Sequence, residues 1–194
     1  MISIATLPLG AYQTNCYVVR EENSAQCVVI DPGYGPETIL AVLKQQGLEL
    51  SAILLTHGHF NHVGAVRELV AATDCQVYLQ TVEATMPQQM TAGPLYFTKE
   101  YPAQFQVAGL TFRVLSTPGH TPGSVCLLIE DAMFSGDTLF AGSCGRTDLP
   151  GGDWATIRRS LAMLRDLPGD YRVFPGHGEA TTLEAERRSN PYLR

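Results

Sequence analysis

Thr56-His57-Gly58-His59-Phe60-Asn61-His62 is the stretch that decides how this chain is read. It follows Ala52-Ile53-Leu54-Leu55, a continuous apolar run of the kind that forms a strand buried on both faces. In extended backbone His57 and His59 leave on the same side, and Gly58 between them removes a side chain and permits a tight turn. His62 comes where the next helix starts, so it can swing to the same point or a neighbouring one. The remaining two of the five histidines also stand beside Gly and Pro, in Pro118-Gly119-His120-Thr121-Pro122-Gly123 and Pro175-Gly176-His177-Gly178. Asp137 lies between them in Phe134-Ser135-Gly136-Asp137-Thr138.

Imidazole and carboxylate are the ligands that borderline dications such as zinc prefer. One histidine at a strand end is ordinarily a satisfied polar residue, whereas five in this pattern point to a metal site. A purely structural zinc is disfavoured, because such sites lean on cysteine and no Cys here has ligand spacing. Two neighbouring centres are conceivable, one held by His57, His59 and His120 and the other by His62 and His177. Asp137 is the natural bridge, one oxygen to each. Such a pair supports hydrolysis, since two cations about 3.5–4 Å apart lower the pKa of a shared water and polarise a carbonyl.

The rest of the chain reads as a packed globule. Residues 1–194 fit one domain, with 45% hydrophobic and 16% charged residues. The net charge of −6 and the absence of a basic run argue against a nucleic-acid partner. No apolar stretch approaches the roughly 20 residues of a membrane span, and the start lacks the pattern of a secretory signal. Cys16, Cys27, Cys75, Cys126 and Cys144 form no C-x-x-C pair and are expected as reduced thiols in a cytoplasmic protein. Cys144, in a Gly-rich loop after Asp137, is the one that could approach a substrate.

Strands are expected at 2–7, 16–20, 26–30, 52–56, 76–79, 105–107, 111–115, 124–129, 132–134 and 171–174. Helices are expected at 36–46, 63–72, about 154–164 and about 183–189, from apolar spacing such as Ile39, Leu40, Val42 and Leu43. Residues 81–104, with Met86, Met90 and three prolines, read as an irregular, lid-like insertion. Two βα halves whose strands end in histidine loops suggest an α/β (α+β) sandwich of two mixed sheets flanked by helices.

These motifs resemble the metallo-β-lactamase fold, and most of all the small glyoxalase II-like (hydroxyacylglutathione hydrolase) branch without the added C-terminal helical domain. The matching stretches include Asn15-Cys16-Tyr17, Ile30-Asp31-Pro32-Gly33, the His57–Gly64 segment, Gly145-Arg146-Thr147-Asp148 and Pro175-Gly176-His177-Gly178. The resemblance implies a first metal on His57, His59, His120 and Asp137, and a second on residue 61, His62, Asp137 and His177. It implies one or two divalent ions, zinc first and iron or manganese next. It implies metal-hydroxide attack on a small thioester such as S-2-hydroxyacylglutathione, with departure of a thiolate. Asp31 either orients ligand loops through hydrogen bonds or caps its own turn. Arg146 either holds a substrate carboxylate or pairs with Asp148. Tyr12, Phe60, Met86 and Tyr96 are candidates for a pocket lining.

Asn61 departs from the family pattern, which has Asp there. A neutral amide leaves Asp137 as the only carboxylate in the ligand set, and Asn cannot accept a proton as a base. An inactivating replacement, a single-metal enzyme and a metal-binding protein without catalysis all fit that departure. A persulfide dioxygenase with one iron is the rival chemistry on the same fold, although that branch tends to carry Ala before the last histidine. A lactamase is disfavoured, since such enzymes are exported.

Overall fold

A computed structural model describes residues 1–194. Strands β1 (Ile2–Leu9), β2 (Thr14–Glu21), β3 (Gln26–Ile30), β4 (Glu49–Leu54) and β5 (Gln76–Tyr78) make one sheet in that spatial order. Strands β1 to β3 pair antiparallel, and β3 to β5 pair parallel. Next in the chain come β6 (Gln104–Val107), β7 (Leu110–Ser116), β8 (Val125–Ile129) and β9 (Ala132–Gly136). A two-stranded ribbon, β10 (Leu139–Phe140) with β11 (Ser143–Cys144), separates these from β12 (Arg172–Pro175) and β13 (Thr181–Thr182). The second sheet has the order β13-β12-β9-β8-β7-β6, with β12 and β9 parallel and the rest antiparallel. Both sheets are therefore mixed.

Side-chain alternation sorts the core into three layers. On β8, Val125, Leu127 and Ile129 face the first sheet, joining Val28, Ile30, Ala52 and Leu54. Cys126 and Leu128 point the other way, toward Ile157, Leu161 and Leu164 of the helix Trp154–Arg165 and Leu183 of the helix Leu183–Ser189. The opposite face of the first sheet, with Cys27, Val29 and Ile53, meets Ile39 and Leu43 of the helix Pro36–Gln45 and Leu69 of the helix Val66–Thr73. Helix, sheet, sheet, helix is the resulting stack. Local signals set the helix ends. Pro36 opens the first, Gly47 follows its end at φ +64°, and Asp153 accepts a hydrogen bond from the Thr156 N–H at the start of the helix Trp154–Arg165.

The helix expected over 63–72 is in fact two, Phe60–Val63 and Val66–Thr73. The break falls at Gly64, whose Cα packs so tightly on the Gly33 carbonyl that a Cβ would lie 2.2 Å from its oxygen. Ala65 N–H then donates to the Pro32 carbonyl in place of an intrahelical partner. The insertion is also more ordered than its composition suggests. It holds a 3₁₀ turn at Thr81–Thr85 and a short helix at Gln88–Thr91, and it buries Glu83, Met86, Thr91 and Tyr101. It is a packed wall of the molecule.

Candidate metal centre

Topology brings the distant histidines to one end of both sheets. His57, His59 and His62 follow β4 of the first sheet, while His120 sits between β7 and β8 of the second. Because β9 and β12 are parallel neighbours, the residues just beyond them, Asp137 and His177, emerge side by side. The seam between the sheets is fastened here. Val125 N–H donates to the Thr56 carbonyl, and Asn15 Nδ2 donates to the carbonyls of Pro175 and Gly178.

Five imidazoles and one carboxylate converge. His62 Nε2 lies 3.3 Å from Asp137 Oδ1. His120 Nε2 and His177 Nε2 each lie 3.4 Å from Asp137 Oδ2, and His57 Nε2 lies 3.9 Å from it. His59 Nδ1 is 3.0 Å from His120 Nε2. Two donors of a tetrahedral zinc at 2.0–2.1 Å stand about 3.3 Å apart, so most of these spacings suit a shared dication. His57 with His59 and His120 forms one compact group, and His62 with Asp137 and His177 another. Oδ2 of Asp137 faces both groups, so the expected division of one oxygen to each is only partly present.

Several of these atoms are buried with no hydrogen-bond partner: His57 Nε2, His59 Nε2, His62 Nε2 and Asp137 Oδ1. Buried polar atoms are ordinarily paired, and orphaned Nε2 atoms of His57 and His62 beside Asp137 fit a cation. Burial pushes His57, His59 and His120 down, His59 to about 3, which leaves their lone pairs free at neutral pH. Burial also disfavours charge on His62, but Asp137 and Asp31 outweigh it and push this ring up to about 10. A dication would take the place of that proton.

The rings are aimed by acceptors behind them. His62 Nδ1 donates to Asp31 Oδ2 at 2.9 Å. Asp31 Oδ2 also accepts from the Thr56 hydroxyl at 2.6 Å, and Oδ1 accepts from Thr56 N–H at 2.8 Å. The Thr56 oxygen in turn faces His57 Nδ1 at 3.0 Å. Asp31 holds a left-handed φ of +51°, an uncommon state for a non-glycine residue that its three bonds maintain. Backbone carbonyls of Arg146 and Tyr12 do the same for His120 Nδ1 and His177 Nδ1, at 2.8 and 3.1 Å. Nδ1–H on His57, His120 and His177 leaves the Nε2 lone pair facing inward, and on His62 it does so once a cation displaces the Nε2 proton. The aiming roles of Thr56 and of the Arg146 and Tyr12 carbonyls carried no sequence signal beyond their place beside the motifs.

A family model for the metallo-beta-lactamase superfamily matches residues 9–177. The chain belongs to the metallo-β-lactamase superfamily. Among its relatives in this superfamily is a probable metallo-hydrolase, YqgX, of Bacillus subtilis, 36% identical over 96% of this chain and 95% of that protein. Another is the hydroxyacylglutathione hydrolase GloC of Haemophilus influenzae, 31% identical over 99% and 98%. Solved structures of the same fold include the BLEG-1 B3 metallo-beta-lactamase, at TM-score 0.89 and 36% identity, covering 98% of this chain and 99% of that one. TTHA1623 in a di-iron-bound form follows at TM-score 0.85 and 41% identity, covering 97% and 100%. ETHE1 from Myxococcus xanthus has TM-score 0.81 and 29% identity, covering 97% and 83%.

His59, Asn61, His120, Asp137 and His177 form the floor of an open cleft of about 590 Å³. Tyr12, Phe60, Met90, Phe140, Leu149, Cys144 and Arg146 line it. Of the four aromatic and methionine candidates, Tyr12 and Phe60 are there, edge to face at 5.4 Å. Met86 and Tyr96 are not: Met86 is buried against Gly58, and Tyr96 packs on the outer face of the first sheet beneath Arg67. Met90 and Phe140 were missed, because neither periodicity nor motif marks a side chain on a short irregular element. Arg146 reaches the cleft with its guanidinium paired to Asp148 at 2.7 Å. Asn61 is buried beside the second group, its Nδ2 lying 3.2 Å from Thr14 Oγ1 and 3.2 Å from His177 Nε2.

Proposed function

We propose that this chain is a metal-dependent thioester hydrolase acting on S-2-hydroxyacylglutathione or a related small thioester, with zinc as the favoured ion. The observation that carries the reading is the cleft, whose floor holds His59, His120, His177 and Asp137 and whose rim holds one arginine, Arg146. His57, His59, His120 and Asp137 would hold the first ion, and His62, His177 and Asp137 a weaker second. A bound dication supplies Lewis acidity and activates water for attack at neutral pH. Asp31, Thr56 and the Arg146 and Tyr12 carbonyls keep the His57, His62, His120 and His177 imidazoles in their ligating tautomers. Tyr12, Phe60 and Met90 shed water from the acyl side of the cleft. Arg146, on leaving Asp148, meets a substrate carboxylate bidentately. Asn61 offers no proton acceptor, so base catalysis falls to no side chain at this position. The likeness to the Haemophilus influenzae GloC supports this substrate class.

Thiol release from S-2-hydroxyacylglutathione, a neutral thioester and a β-lactam, measured with defined metal content, tests the proposal. Thioester cleavage that a chelator abolishes and added metal restores is the expected result. A fully metallated protein that spares every thioester, or that opens only the lactam ring, overturns it. The amide of Asn61 against His177 also favours a second reading, a mononuclear iron persulfide dioxygenase. Bound iron with oxygen uptake on glutathione persulfide would select it.

A further inference from the structure

The packed insertion carries a carboxylate that the proposed chemistry leaves unused. Glu83, on the 3₁₀ turn Thr81–Thr85, is 0% exposed. Both of its oxygens are engaged by backbone. Oε2 accepts from the Gly58 N–H at 2.6 Å, and Oε1 accepts from the Gly123 N–H at 2.6 Å. Gly58 stands between His57 and His59, and Gly123 closes the loop that begins at His120. One side chain therefore spans the two loops that supply the whole first histidine group, and those loops come from different sheets. Burying a carboxylate is costly unless strong donors meet it, and two short N–H bonds do so here.

The motif glycines are shaped around this contact. A Cβ on Gly123 would lie 2.7 Å from Glu83 Oε1 and 2.8 Å from its Cγ. On Gly58 it would lie 3.2 Å from Oε2 and 2.8 Å from Leu95 Cδ1. Gly58 has no positive φ, so close approach, rather than a tight turn, accounts for it.

We infer that Glu83 is a positioning residue, clamping the His57–His59 loop against the His120–Gly123 loop so that three imidazoles keep the spacing one dication needs. The inference rests on the metal-binding reading of the site. Glu83 is hydrogen-bonded to no ligand nitrogen and lines no part of the cleft, so it acts through the loops that carry the ligands.

Glu83→Gln tests it, since the amide can accept from one N–H but turns its own NH₂ toward the other. Two quantities are measured: zinc affinity by competition with a chelator, and the visible absorption of the cobalt(II)-loaded protein, which reports ligand geometry. The expected result is a loss of about 10- to 100-fold in affinity for the first ion with altered cobalt bands. A variant that unfolds more easily yet binds zinc as tightly as wild type, with an unchanged cobalt spectrum, overturns the inference in favour of a purely structural acid. Should Glu83→Gln not fold, Gly123→Ala presses on the same carboxylate from the loop side and takes its place. It is expected to show the same loss, and unchanged affinity there overturns the clamp. Wild-type protein that binds neither zinc nor cobalt overturns the clamp together with the metal reading, a failure distinct from the preceding one.

Discussion

The Asn61 amide nitrogen lies 3.2 Å from His177 Nε2, facing the lone pair that a second metal would use. His177 Nδ1 donates to the Tyr12 carbonyl, so its Nε2 is an acceptor and the amide must point an N–H at it. Asn61 thus fills the second position with a hydrogen bond where a carboxylate would offer a ligand. Changing Asn61 to Asp is expected to raise second-ion affinity by roughly two to four powers of ten, from about 3–5 kcal/mol for an added charged partner in a buried cluster. Metal content per chain and thioester turnover are the readouts. Equal metal content and equal turnover in both forms would contradict it.

Asp31 is the acceptor shared by His62 and Thr56. Asn tolerates its left-handed backbone, so Asp31→Asn changes the chemistry with little strain. Metal affinity is expected to fall about 10- to 100-fold as the His62 and His57 rings lose their aim. Isothermal titration of the metal-free variant would check this. Unchanged affinity would reduce Asp31 to a turn residue.

The metal-free protein has an acid-sensitive and a base-sensitive side. His57, His59 and His120 stay neutral in the fold, while the unfolded chain protonates them below about 6.5. Stability therefore falls as pH drops from about 6.5 toward 3, by up to about 4 kcal/mol per pH unit for three groups. His62, pushed up to about 10, works in the opposite sense. Its contribution is complete below about 6.5 and is lost as pH rises toward 10. Urea midpoints measured in chelator are expected to peak near pH 6.5, and a flat profile from pH 4 to 9 would refute the assignment.

Arg146→Ala is expected to raise KM several-fold for a thioester bearing a carboxylate and to leave a neutral thioester unaffected. Asp148→Ala, which frees the guanidinium, is expected to lower KM for the charged substrate. Steady-state kinetics with the two substrates decide. Equal effects on both would return Arg146 to a surface ion pair.

The loops that cluster at the site were legible in the sequence because each couples a histidine or aspartate to a strand end, and strand ends follow from apolar runs such as Ala52–Leu55. The order of strands was not, since it depends on which backbones pair across the seam. Glu83 escaped notice for a related reason: it is an acid in a segment without periodicity or motif, and its partners are backbone amides 25 and 40 positions away. The split at Gly64 was hidden because the apolar spacing runs through it, while the cause lies at Gly33 on another segment.

The seam has a mechanical consequence. Ligands drawn from the first sheet and from the second would be riveted by whatever ion they share, so the two sheets lose the freedom to slide or part. Stripping that rivet is expected to let amides at the Asn15 and Thr56 end of the sandwich exchange with deuterium well before those at its far end.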